Sequence, residues 1–440
     1  MSMVEHLGLV PLSIILLMLL VAVLASGVWI AIGLAIVGYA AMVLTTDIPI
    51  GQVLATTVWA SSASWTLAAL PLFIWMGEIL FRTRLSEEMF RGLAPWLQWL
   101  PGRLLHVNIV GCGIFAAVSG SSAATCATVG KIALPELEKR GYDQQMALGT
   151  LAGSGTLGLL IPPSIPMVVY AVTANVSVLQ VFLAGFLPGL LVMGLYSGYV
   201  ILWSLLNPGK TPPRDPPMSF RRKMQESAKL IPCLLLILGV FLSLVTGLAT
   251  ATECAAWGVL GALALALWSR TLTWRLFIES LMGATRLTCM IMLIIAGAAF
   301  TTAAMAYTGI PVALAEWVQG LNLTPGKLAL ALTVMYIILG CLIDGISMIV
   351  LTAVIVLPMI KQAGFDLVWF GVYLVIHVEM AQITPPVGFN LFVLQNMSGR
   401  DTWAVAKAAF PFFILLNVAV LIITAFPEIV LVVPRWVFPG

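Results

Sequence analysis

The chain has 440 residues, of which 61% are hydrophobic and 9% charged, and its mean hydropathy is +1.07. An ordinary soluble domain carries roughly 25% charged residues, so a hidden soluble catalytic or nucleotide-binding domain is excluded, and any energy must come from ions or from a partner. The net charge of +3 is small and gives no reason to expect a nucleic-acid partner.

In chain order, Met1 to His6 contains Glu5 and no Lys or Arg, and the apolar run behind it continues to about Leu44. A cleaved signal peptide wants a basic opening and a short apolar core, so this run reads as retained membrane helices. Apolar runs near the ~20 residues that span the hydrocarbon predict helices at 9–25, 27–45 and 65–82. The stretch 104–135 has a small centre, Ser119-Gly120-Ser121-Ser122, and each half is too short to span, so it reads as a re-entrant hairpin. Helices are predicted at 146–170, with Pro162-Pro163 inside, and at 181–206. A basic linker, 207–229, carries Pro208, Pro212, Pro213, Pro216 and Pro217 and reads as extended and solvated. Helices follow at 230–249, 253–270 and 281–306. A second hairpin, 327–358, centres on Asp344-Gly345-Ile346-Ser347, then come the Pro385-Pro386 break and a last apolar segment, 405–433. Non-helical backbone at membrane depth is tolerated only where protein or a water-filled cavity surrounds it.

The two halves repeat. Pro135, Gly141, Asp143, Pro162, Pro163 and Pro188 fall, at one constant offset, on Pro358, Gly364, Asp366, Pro385, Pro386 and Pro411. Proline blocks helix continuation, so two helices are broken at matching depth. Placing the cluster Arg82, Arg84, Arg91, Arg103, Lys139 and Arg140 in the cytoplasm by the positive-inside rule also places the linker's Lys210, Arg214, Arg221, Arg222, Lys223 and Lys229 there. Both termini then face the periplasm, and the five crossings between the hairpins invert the second half relative to the first. The expected fold is an all-α polytopic membrane protein of two inverted repeats, each with a re-entrant hairpin and a Pro-Pro-broken helix. Paired interrupted segments of this kind point to a transport site.

The hairpin centres are rich in oxygen ligands for a hard cation. Ser119, Ser121, Ser122 and Thr125 supply hydroxyls beside Gly120, while Asp344, Ser347 and Thr352 do so beside Gly345. Unwound carbonyls suit Na⁺, and the adjoining half-helix N-termini suit an anion. Asp344 reads either as a helix cap or as a Na⁺ contact, because an Asp within a spanning helix costs about 2.5–3.5 kcal/mol. Glu379 reads either as a structural hydrogen-bonding group or as a coupling residue. The serine cluster reads as hydroxyl ligands or as small residues permitting close helix approach.

Other residues take plainer readings. Glu78 and Arg82 form an i,i+4 pair, Lys131 snorkels, and Arg286 mainly anchors at the interface, with contact to a substrate anion as the minority reading. Trp59, Trp65, Trp96 and Trp99 belong to an interfacial belt. His6, His106 and His377 lack metal spacing. Cys112, Cys126, Cys233, Cys254, Cys289 and Cys341 read as small buried hydrophobes, with neither a disulfide framework nor a metal site. A serine hydrolase built on Ser119 would need a base within hydrogen-bond reach, and His106 lies nearer the hairpin base. A channel is the third class, disfavoured by the duplicated inverted breaks.

The runs GIFAAVSGSSAATCATVGKIALPELEKRGY, GTLGLLIPPSIPMVVYAV and FLAGFLPG, with LIDGISMIVLTAVIVLP and GFDLVWFGVYLVIHVEMAQITPPVGFNLFVLQ in the second half, resemble the large membrane subunit of tripartite ATP-independent periplasmic (TRAP) transporters. The resemblance covers most of the chain; residues 1–60 and the linker are generic. It implies an elevator-type, Na⁺-driven importer of an organic anion in the bacterial inner membrane, working with a periplasmic substrate-binding protein and a separate small four-helix subunit. It implies a transport domain of 66–170 and 282–400 against scaffold segments 1–65, 171–206, 230–281 and 401–440. Na⁺ would sit at Ser119, Gly120, Ser121 and the Gly158 to Pro162 break, and at Asp344, Gly345 and the break at Thr384, Pro385 and Pro386. Substrate would lie between the tips near Ser122, Thr125, Ser164, Ser347 and Asn390. No organic cofactor and no metal beyond Na⁺ is expected. Asn175 stands where many members carry an acidic residue. A self-sufficient carrier of the wider ion-transporter superfamily is the competing reading.

Overall fold

The computed structural model describes residues 8–83, 92–213, 218–228, 230–321 and 323–438. The described residues are helical, with turns and no strand. Five of these helices are long and apolar enough to cross a membrane, among them Val178–Leu206, Trp274–Thr308 and Thr402–Ala425; the bent pair Phe220–Ala228 and Ile231–Val245 would make a sixth.

Both predicted hairpins are helix–turn–helix units. The first pairs Leu104–Ser119 with Ser122–Lys139, and the second pairs Pro325–Gly340 with Gly345–Gln362. Gly120 takes φ +57°, a left-handed conformation that closes the first turn at little steric cost. The repeated motif from Pro135 or Pro358 onward has a local explanation. Gly141 (φ +74°) and Gly364 (φ +76°) each end a hairpin leg in the left-handed region. The next amide then donates back across the turn, Tyr142 N to Leu137 O at 3.0 Å and Phe365 N to Ile360 O at 3.1 Å. One residue further, Asp143 accepts from Met146 N at 2.9 Å and Asp366 from Val368 N at 2.7 Å. Each aspartate thus caps the helix that leads into a break.

The breaks correspond as well. Gln144–Thr156 passes through a short 3₁₀ turn, Leu157–Leu159, to a cis Pro162-Pro163 bond, and resumes as Ile165–Ala174. Leu367–Gln382 ends before a cis Pro385-Pro386 bond and resumes as Phe389–Ser398. Hydrogen bonds join the halves: Tyr170 Oη donates to Leu367 O at 2.6 Å and Ser122 Oγ to Asn390 Oδ1 at 2.9 Å.

Several boundaries differ from expectation. The segment predicted at 281–306 is one helix, Trp274–Thr308, of 35 residues, about 52 Å long at 1.5 Å per residue. Polar residues near its start (Arg275, Glu279, Ser280) hide its first two turns from a hydropathy reading. The helix Ile50–Ser62 was not anticipated; its Gln, Thr and Ser content dilutes the apolar signal, and none of its residues is buried. The segment 405–433 is two helices, Thr402–Ala425 and Glu428–Val437, separated at Pro427. The linker is not extended where it is described beyond Met218. Phe220–Ala228 is helical, and it is held by Trp96 Nε1 donating to Ser227 Oγ at 2.6 Å. Arg84, Arg91, Arg214 and Lys229 lie outside the described residues, as do Pro216 and Pro217.

Candidate functional site

The turn of each hairpin abuts the broken helix of its own half. A β-carbon on Gly120 would come within 3.1 Å of Pro163 O, and one on Gly158 within 2.6 Å of Ser121 O and 2.7 Å of Thr125 Oγ1. In the second half, a β-carbon on Gly345 would meet Val378 at 2.1 Å and one on Gly340 would meet Ala381 at 2.9 Å. Glycine at these positions lets the backbone of each tip touch the last turn of its partner before the break.

Around the first contact the oxygens converge. Ser119 Oγ lies 2.6 Å from Thr125 Oγ1 and 3.2 Å from Ser121 O, and Thr125 Oγ1 donates to Ser121 O at 2.8 Å. The Gly158 backbone closes against the same group. Pro162 lies in the break itself. In the second half, Asp344 caps the helix Gly345–Gln362, accepting from Ile346 N at 3.1 Å and Ser347 N at 3.2 Å. Its second oxygen accepts a short hydrogen bond from Ser347 Oγ. Asp344 is half-buried and remains open to the cavity described below. Thr384 Oγ1 donates to Met380 O at 2.6 Å, and Gly388 N donates to Thr384 O at 3.0 Å, which folds the break around Pro385.

Both tips line one cavity of about 980 Å³. The first contributes Gly120, Ser121 and Ser122, the second Asp344, Gly345 and Ser347, and the broken helices contribute Leu159, Gln382 and Phe389. The remaining wall comes from the turn Gly27–Ala31 and from residues 286–294 of the long helix. The walls are largely apolar side chains, and the charged residues among them are Arg286 and Asp344.

Three residues expected near a substrate do not line this cavity. Thr125 belongs to the Ser119–Ser121 oxygen cluster, Ser164 Oγ donates a short hydrogen bond to Leu159 O, and Asn390 is buried between Ser122 and Ala152, donating to Ala152 O at 3.1 Å. Arg286, read mainly as an interface anchor, is in the cavity wall. Its signal was an arginine inside an apolar segment. Gln382, a polar residue just ahead of a Pro-Pro break, carried a similar signal and was not singled out. Leu159, Ile165, Phe389 and the 27–31 turn had no signal in the sequence.

Among the plainer readings, Glu78 pairs with Arg82 at 3.0 Å, and Arg82 also reaches Glu279 at 3.2 Å. His106 is satisfied by Ser197 Oγ at 2.7 Å and Pro101 O at 2.6 Å, so it is not a base for Ser119. Cys112, Cys126, Cys233 and Cys254 are buried, whereas Cys341 is half-buried and Cys289 is exposed in the cavity wall. Among the described residues no cluster of three His, Cys, Asp or Glu could hold a metal. Glu379 is fully buried, and neither carboxylate oxygen has a hydrogen-bond partner.

Comparison with known proteins bears on this geometry. The profile of the family "Tripartite ATP-independent periplasmic transporter, DctM component" matches residues 17–429. The C4-dicarboxylate TRAP transporter large permease protein DctM of Pseudomonas aeruginosa is 33% identical over 384 residues, covering 87% of this chain and 89% of that protein. The isethionate TRAP transporter permease protein DctMQ of Oleidesulfovibrio alaskensis is 30% identical over 408 residues, 92% of this chain and 64% of that one. The YdaH transporter of Alcanivorax borkumensis shares the fold at a TM-score of 0.65 with 13% identity, over 93% of this chain and 97% of that one.

Proposed function

This chain belongs to the DctM component family of tripartite ATP-independent periplasmic transporters, and from that premise we propose that it imports an organic anion by coupling to Na⁺. It is a multi-pass membrane protein, and the reading places it in the bacterial inner membrane with both termini periplasmic. The cargo class is a carboxylate or related oxyanion, in keeping with relatives named for C4-dicarboxylates and isethionate. A periplasmic binding protein delivers it, and a separate small membrane subunit completes the complex.

The observation that carries this reading is that both hairpin tips and residues flanking both Pro-Pro breaks, Leu159 and Ile165 in the first half and Gln382 and Phe389 in the second, border one cavity. Na⁺ is assigned to the oxygens around Ser119, Gly120, Ser121, Gly158 and Pro162, and to those around Asp344, Gly345, Thr384 and Pro385. Substrate is assigned to the space between, against Ser122 and Ser347. Asp344 explains why the two cargoes travel together: its carboxylate repels an anion in the cavity, and a Na⁺ beside it removes that repulsion. Each inward Na⁺ contributes about 2.3 kcal/mol per 100 mV of membrane potential, so two or more ions offset the import of an anion against the field. Inverted halves that exchange conformations supply the alternating access, with the tips and broken helices moving as a unit against the remaining helices.

Reconstitution of the chain with its small subunit and binding protein in liposomes tests the proposal. Uptake of the delivered anion should require an inward Na⁺ gradient and collapse when Na⁺ is replaced by choline. Full-rate uptake of free solute without the binding protein would favour the self-sufficient carrier. Non-saturating conductance without Na⁺ dependence would favour a channel.

A further inference from the structure

Arg286 lies within a long apolar helix, exposed on the wall of the shared cavity. On the helix Trp274–Thr308, Glu279 pairs with Arg275 at 2.7 Å and with Arg82 at 3.2 Å, forming an ionic cluster near that helix's start. Arg286 lies two turns further along, about 10 Å deeper at 1.5 Å per residue. It has no ion-pair or hydrogen-bond partner among the described residues. It lines the same cavity as Asp344, but no ion pair or hydrogen bond joins the two: Asp344 is held by Ser347 Oγ and two amides at its own helix start. The cavity therefore holds a guanidinium with no direct partner among the described residues, on the wall that the hairpin tips do not build. Ionisable groups at such depth face a cavity and act there, and a guanidinium pairs in fork geometry with carboxylate or other oxyanions.

We propose that Arg286 holds the anionic group of the transported solute on the 286–294 wall, while the hydroxyls and amides of the two tips take the rest of the molecule. This rests on the Na⁺-coupled anion reading and deepens it: the arginine selects for an oxyanion and fixes its orientation across the cavity. Arg286 is a specificity-determining residue, since neutral solutes of the same size leave it desolvated and unpaired.

Cys289, exposed one turn along the same wall, provides a direct probe. The purified full chain carrying Cys341→Ala, which removes the other accessible thiol, is labelled with an anionic sulfonatoethyl and a cationic trimethylammonioethyl methanethiosulfonate. A charge in a low-dielectric cleft concentrates counter-ions about 10-fold or more, so Arg286→Gln should lower the ratio of anionic to cationic rates about 10-fold, and Arg286→Lys should largely preserve it. Succinate or isethionate in Na⁺ buffer should slow labelling in the parent and not in Arg286→Gln. An unchanged rate ratio, equal protection in the glutamine variant, or protection by neither anion in the parent overturns the assignment. The labelling reads the cavity alone, whereas Na⁺-driven uptake by the reconstituted complex reads the coupling. Loss of one result with the other intact shows which of the two proposals has failed.

Discussion

Gly158→Ala places a methyl group in the contact between the first hairpin tip and the first break. Its β-carbon would lie 2.6 Å from Ser121 O and 2.8 Å from Ser121 C, against an ordinary contact of 3.4 Å or more. The Ser121 carbonyl must therefore retreat by about 0.8 Å, and a backbone atom cannot do this by changing rotamer. Overpacking of this kind costs about 1–3 kcal/mol. If Na⁺ binds where Ser119, Ser121 and Gly158 converge, that strain falls on the ion's own ligands, and at 1.4 kcal/mol per tenfold the half-saturating Na⁺ concentration rises about 5- to 150-fold. Na⁺-titrated uptake in proteoliposomes measures this directly, and the Na⁺-dependent rise in melting temperature of the purified protein measures it without transport. Gly153→Ala is the control, because its β-carbon would meet the Phe412 ring at 2.6 Å, away from the tip. It should lower stability while leaving Na⁺ half-saturation unchanged. A Gly158→Ala protein with wild-type Na⁺ half-saturation, or a control that shifts it equally, would refute the placement of the ion.

Asp344→Asn keeps an oxygen able to accept from Ile346 N and Ser347 N, so the protein should fold, but removal of the carboxylate charge should weaken Na⁺ dependence of uptake; an unchanged Na⁺ titration would sink the role. Ser122→Ala leaves Asn390 Oδ1 without its donor in a buried site, and an unsatisfied buried acceptor costs about 1–3 kcal/mol, so the melting temperature should fall measurably. Glu379→Gln should preserve or raise the melting temperature, because an amide without partners is less costly to bury than a carboxylate without partners. A clear drop would mean that the carboxylate is compensated by a bound cation that the amide cannot hold.

The elements that were legible from the sequence share one property: their cause is local. Pro-Pro pairs stop helices wherever they stand, Gly141 and Gly364 reverse the chain because a left-handed residue is needed there, and Asp143 and Asp366 cap the next helix two residues later. The Ser-Gly-Ser-Ser and Asp-Gly-Ile-Ser turns followed from segments too short to span. Helices without a clean apolar run escaped this reading, as with Ile50–Ser62, and so did the first two turns of Trp274–Thr308, where Arg275, Glu279 and Ser280 interrupt the apolar residues.

What the chain's order of residues determined by itself was the duplication, the two hairpins and the two breaks, since each arises from backbone chemistry within a few positions. Which side chains face the shared cavity was decided only by packing between segments distant along the chain. Thr125 and Asn390 carry polar groups as Ser121 and Ser122 do, yet Thr125 is held by Ser119 Oγ and Ser121 O inside the first hairpin and Asn390 by Ser122 and Ala152 of other helices, while Arg286 is brought to the wall by the packing of its long helix. A residue's chemistry is written locally, but its exposure to a cavity depends on the elements packed around it, and a single segment carries no record of those.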